Sequence, residues 1–188
     1  MKASPHRTPN LTIGPTSPAV LEQLESIIIK PAVMRGCFGA ALAPRRAREI
    51  LLREWQACQD SPRGAHLAVT AVRHGRSEVA GAGYLLDGEL RFFVTPDLRR
   101  RGVGRALVAA LRREAEQRQL HELSAWVFPE NVASARLLEA CGFVPRASMQ
   151  VVMYERPVMH YHLALDAAPA HVFGASLPGP GDGVQAGA

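Results

Sequence analysis

The 188-residue chain is 21 % charged and 47 % hydrophobic, the balance of a soluble globular protein, and it is long enough for one ordinary domain with its own core. No apolar run approaches the roughly 20 residues that a membrane helix requires, and the opening MKASPHRTPN has no apolar signal core, so a cytoplasmic protein without a membrane partner is expected. The net charge of +5 is almost all arginine, which suits an anionic cofactor or an arginine-rich proteome. Apart from Arg99 to Arg101 and Arg45-Arg46-Ala47-Arg48 the basic residues are scattered, and they lack interleaved aromatics, which argues against nucleic acid as the partner.

In chain order, residues 1–10 read as a flexible leader. Leu11 to Ile13 is a short strand ended by Gly14-Pro15. Ser17-Pro18 sets a helix start, and Val20, Leu21, Leu24, Ile27 and Ile28 form its apolar face until Pro31 stops it. Ala32 to Pro44 is small and apolar without a clear period, so Met34, Cys37 and Phe38 read as core or as the wall of a substrate pocket. A second helix, about Pro44 to Gln59, turns Ile50, Leu51, Trp55 and Cys58 inward and its arginines outward.

The middle reads as sheet. His66 to Arg73 and Glu78 to Leu86 are strands joined by a turn at His74-Gly75-Arg76-Ser77, and Asp87-Gly88 is a hairpin signal into a third strand from Glu89. That strand is apolar to Val94 except at Arg91, and Thr95-Pro96-Asp97 ends it. From Val103 the period becomes helical, with Leu107, Ala110, Leu111 and Ala115 on one face, to about Gln119. Leu120 to Phe128 is the next strand, and a strand-helix-strand crossover would set it parallel to the strand from Glu89. Asn131 can cap a helix reaching Cys141, with Gly142 and Phe143 closing it. After an irregular turn at Pro145, strands at about Ala147 to Tyr154 and Val158 to Leu165 complete a domain spanning 11–166, with an edge on which a second copy could pair as a homodimer. Residues 167–188, rich in Ala, Gly and Pro, read as a disordered tail. Cys37, Cys58 and Cys141 lack metal-ligand spacing and read as free thiols, with no metal expected.

The junction Arg99-Arg100-Arg101-Gly102-Val103-Gly104 lies where a helix begins. The first amides of a helix have no partner within it and carry partial positive charge, and two glycines admit an anion close to the backbone, with arginines at the rim. A pyrophosphate fits; so does a glycine-softened helix start with solvated arginines. The string GxxxxGK[ST] is absent, and Gly102-Val103-Gly104-Arg105-Ala106-Leu107 fails GxGxxG.

The arrangement [RQ]xxGx[GA], met by Arg99, Gly102 and Gly104, resembles the pyrophosphate loop of the GNAT acetyltransferases. Asn131 to Phe143 resembles that family's NxxAxxLYExxGF segment, and more closely the NxxSxRxLExxGF form of the ribosomal-protein N-terminal acetyltransferase branch. The resemblance implies an α/β (α+β) fold: a mixed, mostly antiparallel central sheet of six or seven strands, fourth and fifth splayed, with helices on both faces. It implies acetyl-CoA as co-substrate, wedged in the splay, and direct transfer to a primary amine of a small molecule or peptide. By position, Phe93 and Val94 would pair with the pantetheine arm, Arg100, Arg101, Gly102, Val103 and Gly104 would hold the pyrophosphate, Arg99 would brace the loop, and Asn131 would flank the pocket. Where the family often has a tyrosine this chain has Leu138, so Ser134 is the candidate for steadying the leaving sulfur, or else a first-turn serine satisfying backbone. Glu89 is the carboxylate nearest the fourth strand and a candidate base, or else a solvated strand residue. The missing tyrosine also admits a catalytically silent acyl-CoA-binding module.

Overall fold

The computed structural model describes residues 11–39, 42–73 and 75–165, leaving aside the side chains of 73 and 147–151. The leader, the tail and His74 of the expected turn lie outside these.

Thirteen elements follow along the described chain. They are β1 (Leu11–Pro15), α1 (Pro18–Ile28), α2 (Pro31–Phe38), α3 (Pro44–Asp60), β2 (Gly64–Arg73), β3 (Arg76–Leu86), β4 (Glu89–Val94), a 3-10 turn at Pro96–Leu98, α4 (Val103–Gln117), β5 (Glu122–Val127), α5 (Val132–Ala140), β6 (Val144–Met153) and β7 (Arg156–Ala164). The seven strands form one sheet in the order β1-β2-β3-β4-β5-β7-β6. Every neighbouring pair is antiparallel except β4 and β5, which are parallel because α4 carries the chain across the sheet between them.

Local chemistry accounts for most of these boundaries. Ser17 Oγ accepts from the Val20 amide and Pro18 occupies the first turn of α1. Asp87 (φ 49°) and Gly88 (φ 90°) supply the two left-handed residues of a tight hairpin, so Leu86 faces Glu89. Asn131 Oδ1 accepts from the Ser134 amide at the start of α5, and Gly142 (φ 91°) ends that helix, returning the Phe143 amide to the Leu138 carbonyl at 3.0 Å.

Two apolar layers bury the sheet. On one face α4 and α5 pack Leu107, Leu111, Ala115 and Leu138 onto Val69, Leu85, Leu90, Leu123 and Val127. On the other, α1, α2 and α3 bring Leu24, Val33, Phe38 and Ile50 over Val79, Ala82 and Phe93. The aperiodic segment after Pro31 is thus a short helix, its Val33, Met34 and Phe38 buried.

The sequence reading starts β6 after Pro145, but the strand begins at Val144, with Pro145 opposite Tyr161. The reason is position: β6 is the sheet edge, where a missing amide proton leaves no ladder bond unmade.

Candidate functional site

β4 and β5 meet through one register pair, Glu89 with Ser124, supported by the Ser124 amide donating to the Gly88 carbonyl at 2.8 Å. β4 continues five residues beyond Glu89, fully paired with β3 on its other side as far as Val94 opposite Gly81. The two parallel strands therefore diverge, and one edge of β4 is left without a strand partner. Alternation determines which groups line that edge. The Thr95 amide donates to the Ala80 carbonyl, so the odd-numbered backbone groups point to β3 and those of Phe92 and Val94 point into the gap. Phe93 directs its backbone toward Ala82 and contributes a side chain to the α1-α2-α3 face instead. The open-edge pair is Phe92 and Val94, a correction to the expected Phe93 and Val94; sequence alone did not show which parity β3 takes.

The gap leads to the loop before α4. Arg99 is exposed but folds back on the backbone, its Nε 3.3 Å from the Val94 carbonyl and Nη2 3.2 Å from the Ala32 carbonyl, so it ties the exit of β4 to the start of α2. Arg100 (φ 59°) and Gly102 (φ 80°) are both left-handed, and alternate left-handed residues turn successive N–H groups toward one concave side. The first amide of α4 to find an acceptor in the helix is Ala106, to the Gly102 carbonyl at 3.0 Å, which leaves Val103, Gly104 and Arg105 as N-terminal donors without a backbone acceptor among the described residues. Arg100 and Arg101 form no hydrogen bond or ion pair among the described residues and stand at the rim.

The two glycines do different work. A Cβ at Gly102 would meet nothing within 4 Å, so its requirement is the positive φ and the mouth beside it is open. A Cβ at Gly104 would lie 2.7 Å from Leu137 Cδ2 and 3.6 Å from Val94 Cγ2. Gly104 is thus a packing glycine that lets α4 approach α5, while Val103, 1 % exposed, anchors the loop in the core.

An open cavity with about 80 Å3 of water-accessible space extends from this gap across the α1-α2-α3 face. Its lining includes Phe92, Phe93, Asn131, Ser134 and Leu138 on the gap side and Cys37, Glu54, His66, Tyr84 and Arg91 deeper in. Asn131 is fully engaged, since Oδ1 caps Ser134 and Nδ2 donates to the Gly36 carbonyl at 3.2 Å, locking α5 to α2. The Ser134 hydroxyl forms no hydrogen bond among the described residues. Leu138, where the resembling pattern has tyrosine, is fully buried. Glu89 does not line the cavity, and its carboxylate is held by Arg91 Nε at 2.8 Å.

Sequence reasoning did not find Glu54. It accepts hydrogen bonds from Tyr84 Oη at 3.2 Å and from Arg91 Nη1 at 3.1 Å, with burial raising its carboxyl above the ordinary range. One signal was available: Glu54 occupies the stripe of Ala47, Ile50, Leu51 and Cys58, an acid on the inward face of α3. His66, with Nδ1 2.8 Å from Thr16 Oγ1, is pushed down to about 4 by burial, so it stands neutral. Burial pushes the thiols of Cys37 and Cys58 up to about 12, with the Glu54 charge adding to both, so neither is a thiolate near neutral pH.

Residues 35–143 match the model of the acetyltransferase (GNAT) family. Among solved structures, spermidine N-acetyltransferase from Vibrio cholerae in complex with CoA and spermine is 18 % identical, covering 82 % of this chain and 95 % of its own, at a TM-score of 0.65. A putative acetyltransferase from Salmonella typhimurium with its cofactor acetyl-CoA is 22 % identical over 85 % and 96 % of the two chains, at 0.63. A ribosomal L7/L12 alpha-N-protein acetyltransferase in complex with CoA is 13 % identical over 87 % and 98 %, at 0.66. A sequence search of curated proteins found no match.

Proposed function

The chain belongs to the acetyltransferase (GNAT) family and is therefore an acetyl-CoA-dependent acyltransferase, and from that premise we propose that it moves the acetyl group directly to a primary amine of a small molecule or peptide. The observation that carries this reading is the single register pair between β4 and β5, which opens a hydrogen-bonding edge leading straight to the amino end of α4.

An extended amide-bearing arm can pair with the backbone of Phe92 and Val94 as a strand would. The loop amides from Arg100 to Gly104, with Arg100 and Arg101 beside them, suit a diphosphate in charge and direction. Arg99 holds the loop to β4 and α2, and so acts on binding through the backbone it braces. At the thioester, an open-edge amide of β4 is the donor for the oxygen that becomes negative as the amine adds. The hydroxyl of Ser134, one turn inside α5, stabilises the departing sulfur by hydrogen bonding, helped by the helix end. Direct transfer is supported over an acetyl-cysteine route because the cavity thiol, Cys37, is held protonated.

The amine reading is supported by similar structures that include a spermidine N-acetyltransferase in complex with CoA and spermine and a ribosomal L7/L12 alpha-N-protein acetyltransferase. The test is coenzyme A titration by calorimetry, followed by thiol release from acetyl-CoA against pooled amines. Saturable uptake with amine-dependent thiol release is expected. Uptake without release from any amine would select the catalytically silent binding module, and no uptake would end the reading.

A further inference from the structure

The floor of the cavity holds a charged cluster that neither the loop nor the gap explains. Both hydrogen bonds to Glu54, from Tyr84 and Arg91, end on Oε1. Its Oε2 accepts none among the described residues and is not sealed from solvent. Arg91 is shared, its Nε bonded to Glu89 and its Nη1 to Glu54. Two carboxylates therefore surround one guanidinium. The other ionisable groups in the lining are neutral His66, Tyr84 and Cys37, so in direct contact the cluster sets two carboxylates against one guanidinium, with Arg53 acting on Glu54 from outside the lining. The walls of the same cavity include Phe38, Phe93, Trp126 and Phe128, poor solvent for an anion and good contact for a cation.

Resting on the acetyl-transfer reading above, we propose that Glu54 is the catalytic proton acceptor of this site, and that its substrate is a singly charged primary ammonium on an apolar or aromatic body. The ammonium docks at Oε2. One N–H proton passes to Glu54, which frees the nitrogen lone pair; the C–N bond forms as the thioester C–S bond breaks. The second proton lost from nitrogen goes to the departing sulfur, and Glu54 returns its own to solvent. The sum is ammonium plus thioester to amide, thiol and one proton. Glu54 and Ser134 border one continuous cavity, and Arg91, which holds Glu54, adjoins Phe92, whose amide faces the gap.

The surroundings tune the carboxylate. Burial raises it most, and Glu89 adds to that; Arg91, the Tyr84 hydroxyl and Arg53 pull the other way, and the net direction is upward. A raised carboxyl is a stronger base at neutral pH. A second ammonium or a carboxylate on the substrate would lie among rings without a counter-charge, so diamines and acidic amines are disfavoured.

The test compares wild type with Glu54→Gln and Glu54→Asp, using phenethylamine, putrescine and 2-phenylethanol. Wild type should acetylate phenethylamine better than putrescine, with kcat/KM falling on acidification through a value above the ordinary carboxylate range. Glu54→Gln should lose about 100-fold or more in kcat/KM and lose that acidic limb, while coenzyme A affinity stays within threefold. Glu54→Asp should restore the limb in part. Calorimetry without donor reads the site apart from turnover: phenethylammonium should bind at least tenfold tighter than 2-phenylethanol to wild type and to Glu54→Asp, and equally to Glu54→Gln. Equal binding of the two ligands by wild type, or an acidic limb surviving in Glu54→Gln, would overturn the assignment whether or not acetyl transfer occurs. Loss of coenzyme A binding in wild type would instead count against the transferase reading itself.

Discussion

Acidification should destabilise this protein in large part through His66. Its ring is 4 % exposed on β2, within hydrogen-bond distance of Thr16, and stacked 6.4 Å from Tyr84. Burial lowers it from the ordinary 6.5 to about 4. The sign follows from which state takes the proton. Below pH 6.5 the unfolded chain protonates His66 while the folded chain does not, so stability is full above 6.5 and is lost as pH falls toward 4. At roughly 1.4 kcal/mol per pH unit, that interval amounts to about 3 kcal/mol, a large share of the roughly 5–15 kcal/mol that holds a domain folded. Urea unfolding at pH 7.5, 6, 5 and 4 would measure it. His66→Asn keeps a polar atom near Nδ1 for Thr16 and cannot titrate. Its stability should start lower and fall less steeply, the difference in slope between the two proteins summing to about 3 kcal/mol. Parallel curves would show that His66 protonates alike in both states and would refute the reasoning.

Three further substitutions probe the site from different sides. Gly102→Ala meets no steric neighbour, so only its φ of 80° is strained; about 1–2 kcal/mol is expected, seen as a drop of a few degrees in melting temperature with weaker coenzyme A uptake by calorimetry. Gly81→Ala puts a Cβ 2.4 Å from the Phe93 carbonyl oxygen, a backbone atom that cannot rotate away, so β4 must shift; about 2–3 kcal/mol should be lost in urea unfolding, and coenzyme A uptake with it. Ser134→Ala removes a hydroxyl that holds nothing in the fold, so stability should change by less than about 0.5 kcal/mol while kcat falls about tenfold at unchanged coenzyme A affinity, measured by thiol release.

Much of the architecture was legible because local signals agreed with the global arrangement. Asp87-Gly88, Ser17-Pro18 and Asn131 each sit where a turn or cap needs them, and the change of period at Val103 marks α4. Pro145 misled because its meaning depends on whether its strand is central or at an edge, which only the assembled sheet decides. The loop at Arg99 to Gly104 was readable as a unit, but the separate duties of its glycines were not: Gly104 answers to Leu137, 33 residues further along the chain. Glu54 was the larger omission. A carboxylate on an apolar helix face and an arginine interrupting an apolar strand, Arg91, are each unremarkable alone; their meeting across two elements converts both into a site. Glu89, the nearer acid in sequence, is instead spent on the same arginine.

The lone rung at Glu89 and Ser124 has a mechanical side. Strands β1 to β4 form one slab and β5, β7 and β6 another, and among the described residues no further register pair fastens the slabs beyond that rivet. The angle between them is set by greasy side chains below the sheet, which resist separation but impose little direction. An occupant of the wedge that bonds to both slabs therefore acts as a brace, and deuterium uptake at Phe92 and Val94 would report its arrival.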